Sequence, residues 1–129
     1  AKNIDDNNPL FEEIKYLKDD GAIAADKNGN INTGLIISGK VLADIVNKTQ
    51  DENVMKPIAG NQISLKDAAQ KIIESYDVKA QVNPGDAAKF TGYLNSLGAD
   101  IKQADLNKPA NLGQIAEIVT AADQEWGNK

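Results

Sequence analysis

Three short segments each carry a helix-capping residue with a second polar residue close behind that could meet a ligand: Ser38 with Lys40, Ser64 with Lys66, and Asn111 with Gln114. In each, a residue able to cap a helix precedes an apolar helical stripe, over Ile37–Val46, Ile63–Ile73 and Ala110–Val119. A helix start carries partial positive charge and unpaired N–H groups, so a lysine beside it would reinforce an anion site. The same lysines equally suit a solvated helix face, with the stem lying on the surface and the ammonium in water. The remaining candidates for chemistry are fewer. The chain has neither Cys nor His, which removes thiolate, imidazole and the usual zinc chemistry, and with them any His-based triad or His-ligated haem. Glu12/Glu13 and Asp19/Asp20 are carboxylate pairs, but neighbours on a helix point about 100° apart and do not share a site. No Gly-rich phosphate loop or nucleophile elbow is present. The expectation is a protein that is not an enzyme, holds no metal and needs no cofactor.

Asp26, Asn28, Asn30 and Asn32 resemble the start of a calcium loop, and Asp105 with Asn107 echoes it. An EF-hand loop closes with a bidentate Glu at its twelfth position. Counted from Asp26 that position is Ile37, and from Asp105 it is Ala116. A turn through Asn28, Gly29 and Asn30 explains the residues better, and a divergent dockerin-like calcium module stands as the third choice of function. Trp126 could offer a sugar-stacking platform, although it also continues the core stripe of the last helix.

The elements that must position these residues are short helices. Asn8 as cap and Pro9 at the first helical position predict a helix whose Leu10, Phe11, Ile14 and Leu17 are buried and which Gly21 ends. Ser38 opens a second helix to about Lys48, with Val41, Leu42, Ile45 and Val46 on one face. Ser64 opens a third carrying Leu65, Ala68, Ala69, Ile72, Ile73 and Tyr76, with Asp67 in capping-box relation. Asn83, Pro84 and Asp86 start a fourth that presents Phe90, Tyr93, Leu94 and Leu97 and stops at Gly98. Asn111, with Gln114 as reciprocal partner, caps a fifth through Leu112, Ile115, Ala116, Val119, Ala122 and Trp126. The connectors run over Ala22–Ile36 and Thr49–Gln62 and through Asn107 and Pro109.

With 129 residues, 41% of them hydrophobic, the chain suits a single all-α domain with an adequate core. A net charge of −5 and a pI near 4.7 argue against nucleic acid as partner. No apolar run reaches membrane-spanning length, so no membrane insertion is expected. No signal-peptide core is present, and Ala1 is compatible with a leader already removed.

An internal repeat ties these elements together. Tyr16, Leu17, Gly21, Ala22 and Ile23 parallel Tyr93, Leu94, Gly98, Ala99 and Ile101. Ala25, Asp26 and Asn28 parallel Ala104, Asp105 and Asn107, and Leu42–Val46 parallels Ile115–Val119. The segment Ile63–Ile73 keeps only the cap-and-helix half. The pattern predicts a small bundle of about five short helices, built from two full and one abridged helix-loop-helix units at about residues 4–50, 55–80 and 82–126.

In this arrangement the chain resembles the surface-layer homology (SLH) family, whose modules run helix, Gly-Ile turn, an Asp-Gly loop and an Ile-Thr-Arg-Ala-Glu segment opening a second helix. The first unit matches through Asp6, Pro9, Phe11, Glu13, Ile14, Tyr16, Leu17, Gly21, Ile23, Asn28, Gly29, Ile31, Ile37, Ser38, Ala43 and Ile45. The Thr and Glu positions of the signature become Ser38 and Val41, Ser64 and Asp67, Asn111 and Gln114, so that two of the three boxes are complete. Its Arg position holds Gly39, Leu65 and Leu112, and Leu10 and Phe11 stand near the place of its first-helix Trp. The resemblance implies a non-enzymatic module, secreted or at the bacterial surface, that anchors a protein by binding a cell-envelope polysaccharide or peptidoglycan-linked polymer. In the family that Arg is implicated in holding an acidic polymer in grooves between units, and none of the three replacements can make its charge-assisted bond. The residues implied to line the grooves are Ser38, Lys40, Ser64, Lys66, Asn111 and Gln114. The second choice of function is a protein–protein or assembly module on the same scaffold with the glycan site lost.

Overall fold

Side-chain oxygens from Ser38, Ser64, Asp86 and Asn111 accept a backbone N–H three residues on, at Val41, Asp67, Lys89 and Gln114, and each starts a helix there. The computed structural model describes residues 1–127 and contains α1 (Phe11–Asp19), α2 (Gly39–Gln50), α3 (Leu65–Glu74), α4 (Ala87–Leu97) and α5 (Leu112–Trp126). One 3-10 turn, Gln103–Asp105, precedes α5. Among the described residues the only β pairing is two isolated antiparallel bridges, Ile36 with Asn111 and Ser64 with Pro109. The fold is a small all-α bundle.

Several boundaries shift from the sequence expectation for local reasons. Asn8 does bind ahead, its Oδ1 accepting from Leu10 N–H at 2.8 Å, but that closes a turn and α1 begins only at Phe11. Asn83 likewise closes a turn onto Gly85 N–H, and Asp86 is the cap of α4. Tyr76 lies in the turn after α3, two residues past Glu74. The full reciprocal capping box forms in α5, between Asn111 and Gln114. In α3, where the shorter Asp67 replaces Glu, the bond from Asp67 N–H to Ser64 is the half that forms.

Two helix ends close identically. Gly21 and Gly98 adopt φ of +73° and +113°, and the N–H of the next residue reaches back to the last turn, Ala22 to Leu17 O and Ala99 to Leu94 O. Asp51 takes the same left-handed place after α2, at φ +53°.

The core is organised on α5. Residues around most of it are buried, including Leu112, Gly113, Ile115, Ala116, Ile118, Val119, Ala121 and Ala122, and it packs against α1, α2, α3 and α4 in turn. A helix that is apolar over most of its circumference is a central one, so the single stripe expected of this segment widens to enclosure on all but the face of Gln114, Glu117 and Gln124. In α2 the correction is opposite: Leu42, Ala43, Ile45, Val46 and Thr49 are buried, whereas Val41 at the edge of the stripe is 42% exposed.

The connector between α2 and α3 is strapped down by Asn47. Its Oδ1 accepts from Val54 and Met55 N–H, and its Nδ2 donates to Met55 O, all at 2.9 Å. The connector then carries Ile58 directly over Gly39, where an added Cβ would collide with the Ile58 carbonyl oxygen. Gly39→Ala is therefore expected to cost roughly 2 kcal/mol or more of unfolding free energy in urea titration. Gly92→Ala, on the open face of α4 with nothing within 4 Å, is expected to gain about 0.5–1 kcal/mol. A neutral Gly39→Ala would mean that the connector does not lie on α2.

Candidate functional site

The three capped segments meet at one end of the bundle. Ile37 N–H donates to Ala110 O, Leu112 N–H to Leu35 O and Gly113 N–H to Thr33 O. On the other side Ala110 N–H donates to Ile63 O, Leu65 N–H to Lys108 O and Lys66 N–H to Leu106 O. The stretch around Ala110 is thus held between the stretches leading into α2 and α3, which brings the starts of α2, α3 and α5 together. Ser38, Ser64, Asn111 and Gln114 all sit at this end with their side-chain oxygens engaged in capping.

At two of the three helix starts the same bonds use up N–H groups that would have held an anion. At the starts of α3 and α5 the first two N–H groups donate to carbonyls of this chain. Gly39 is covered by Ile58, and Leu65 and Leu112 are buried, so the residue after each cap serves packing. Lys40 is exposed and Lys66 half-buried.

Two shallow grooves flank this end. One, of about 300 Å³, runs between Leu10, Thr33, Asp100, Asn111, Gln114 and Glu117. The other, of about 410 Å³, has Ile58, Gln62, Ile63, Ser64, Asp67, Gln70, Lys71 and Glu74 on its walls. Ser64, Asn111 and Gln114 of the expected residues line them, whereas Ser38, Lys40 and Lys66 do not. Glu117, which sequence reasoning did not single out, accepts from Asp100 N–H at 2.6 Å. Burial holds its carboxyl above the usual carboxylate range, opposed by that hydrogen bond.

At the far end, the C-terminal ends of α1, α2 and α5 and the turn after α3 surround a polar cleft of about 540 Å³. Its floor is Asp123, which is buried and accepts from Tyr16 Oη at 2.7 Å and Tyr76 Oη at 2.8 Å. Trp126 is half-buried beside them, tilted 45° to the Tyr76 ring with centroids 6.1 Å apart. Its stripe position thus serves as a lid on the end of the core and as a wall of the cleft. Tyr16 and Tyr93 are parallel positions of the repeat, yet Tyr16 makes this bond whereas Tyr93 lies half-buried against the core. Asp123 was also missed, although a signal existed: it falls four residues after Val119 on a buried stripe, where an acid needs donors.

The Asp26 loop is an ordinary turn. Asp26 Oδ1 accepts from the N–H of Asn28 and Asn30, and Gly29 takes φ +83°. Asp105 differs, ending the 3-10 turn and pairing with Lys108 at 3.6 Å. Among the described residues no group of three or more acids is placed to hold a metal ion.

Burial first, and then the hydrogen bond to Asp123, raises the Tyr76 phenol above its usual pKa. The unfolded chain therefore releases this proton first, near pH 10, and stability is expected to fall as pH rises from there. Tyr76→Phe should cost roughly 1–3 kcal/mol at neutral pH and flatten the alkaline decline, both read by denaturant titration. A variant as stable as the parent and equally alkali-sensitive would remove Tyr76 from this role. Because the turn already engages Asp26, the melting transition is expected to be the same in calcium and in chelator. A rise with calcium would restore the dockerin-like reading.

Comparison with protein-family models, with curated proteins and with solved structures gave no significant match.

Proposed function

We propose that this chain is a non-enzymatic module, similar to SLH domains, that binds a polysaccharide of the bacterial cell envelope and anchors a protein at the cell surface. The proposal includes its construction from two full units and one abridged unit, over about residues 4–50, 55–80 and 82–126. One observation carries it: three capped segments of like sequence are hydrogen-bonded side by side, gathering three helix starts between two grooves. The matching closures at Gly21 and Gly98 support the pairing of the first and last units. Ser64, Asn111 and Gln114 would contact the polymer from the groove walls, and Ser38, Lys40 and Lys66 would lie beside it. Among the described residues no helix is long and apolar enough to cross a membrane, and attachment in this reading comes from the glycan.

A second reading, a protein–protein module on the same scaffold, is favoured by one feature. Leu35, Ile36 and Val41 are 52%, 47% and 42% exposed around the start of α2, where an apolar partner surface could seat.

Co-sedimentation with purified peptidoglycan sacculi tests the first reading, with retention expected in the pellet. No retention on sacculi, either carrying or stripped of their attached polymer, would rule out anchoring. In the second reading retention is absent, and Leu35→Ser with Val41→Ser abolishes a self-association measured by sedimentation velocity.

A further inference from the structure

Resting on the envelope-binding reading, we infer that the ligand of the two grooves is a glycan without acidic groups, not a polyanion. Recognition of a polyanion needs fixed cations or unpaired N–H groups where the charge arrives, and among the described residues Lys71 is the one cation on the walls of the two grooves. The three positions that follow the caps are closed to any long cationic side chain: Ile58 lies on Gly39, and Leu65 and Leu112 are in the core. The opening N–H groups of α3 and α5 already donate to carbonyls of this chain. Lys40 and Lys66 line neither groove.

The charges that do line the grooves have the opposite sign. Asp100 and Glu117 face the first without a cation among its walls, and Asp67 and Glu74 outnumber Lys71 in the second. Burial already disfavours the ionised form of Glu117, so a ligand phosphate or carboxylate there would add to an existing penalty. What the walls offer is the mixture a neutral sugar uses. Carboxylates accept from hydroxyls, the amides of Gln62, Gln70 and Asn111 both donate and accept, and Leu10 and Ile63 give apolar surface for ring C–H groups.

Co-sedimentation of the full chain with sacculi before and after acid extraction of the anionic polymer tests this. Retention is expected on both materials, unchanged between low and high salt, and reversed by soluble N-acetylglucosamine oligomers but not by polyglutamate. The variant Asp100→Asn with Glu117→Gln is expected to bind extracted sacculi about tenfold more weakly at an unchanged melting temperature. Retention on unextracted sacculi alone, falling with salt, would overturn the inference while leaving envelope binding intact. Retention on neither material would instead remove the envelope-binding reading. Full retention of the folded variant would overturn the assignment to these grooves, and the salt and competition results decide the matter if the variant does not fold.

Discussion

The bundle depends on the hydrogen bonds that hold the Ala110 stretch between the Ile37 and Ile63 stretches. Separately, each is a few extended residues ahead of a helix, with backbone groups that would otherwise need water. Joined, they satisfy one another and fix where α2, α3 and α5 begin. A buried backbone polar group without a partner costs as much as a lost hydrogen bond, so the three helix starts cannot drift independently. The caps then add a bond each, with Ser38, Ser64 and Asn111 turning the chain from extended to helical at the same level.

The consequence appears at the other end. Helices that start together and run the same way bring their negative C-terminal ends together, an unfavourable arrangement of dipoles. Lysines in the last turns, Lys18, Lys48 and Lys71, offset part of it. Asp123 would add to the problem, and its two tyrosine donors are the local answer: they neutralise nothing but satisfy the carboxylate without requiring water in the core. Gln50 Nε2 completes the closure by donating to Ser75 Oγ across α2 and α3, at 2.9 Å.

Helix existence was legible because the caps are strong and local. Ser38, Ser64 and Asn111 act as read, and Gly21 and Gly98 stop their helices as read. Starts defined by Asn-Pro were less legible, since Asn8 and Asn83 close turns as readily as helices, and here they close turns. The centrality of α5 was written in its small residues, Gly113, Ala116, Ala121 and Ala122, which let four neighbours approach, but period alone does not distinguish a buried stripe from a surrounded helix. The candidate site was only half legible. Cap chemistry located one end of the molecule, yet whether helix-start N–H groups are free depends on carbonyls from Thr33, Leu35, Leu106 and Lys108. No local pattern at residues 64–66 or 111–113 announces those partners.

The placement of α5 also constrains how the chain can reach this structure. Every other α-helix packs on the last one, and Tyr16 finds its carboxylate partner 107 residues downstream. Unlike a bundle of consecutive hairpins, this one offers few places where an early segment can be completed by its immediate neighbour. Loop closure across most of the chain must precede the reward, so α1 to α3 leave the ribosome with their apolar faces uncovered until α5 follows. Most of the helix-to-helix packing is therefore gained only once α5 is in place.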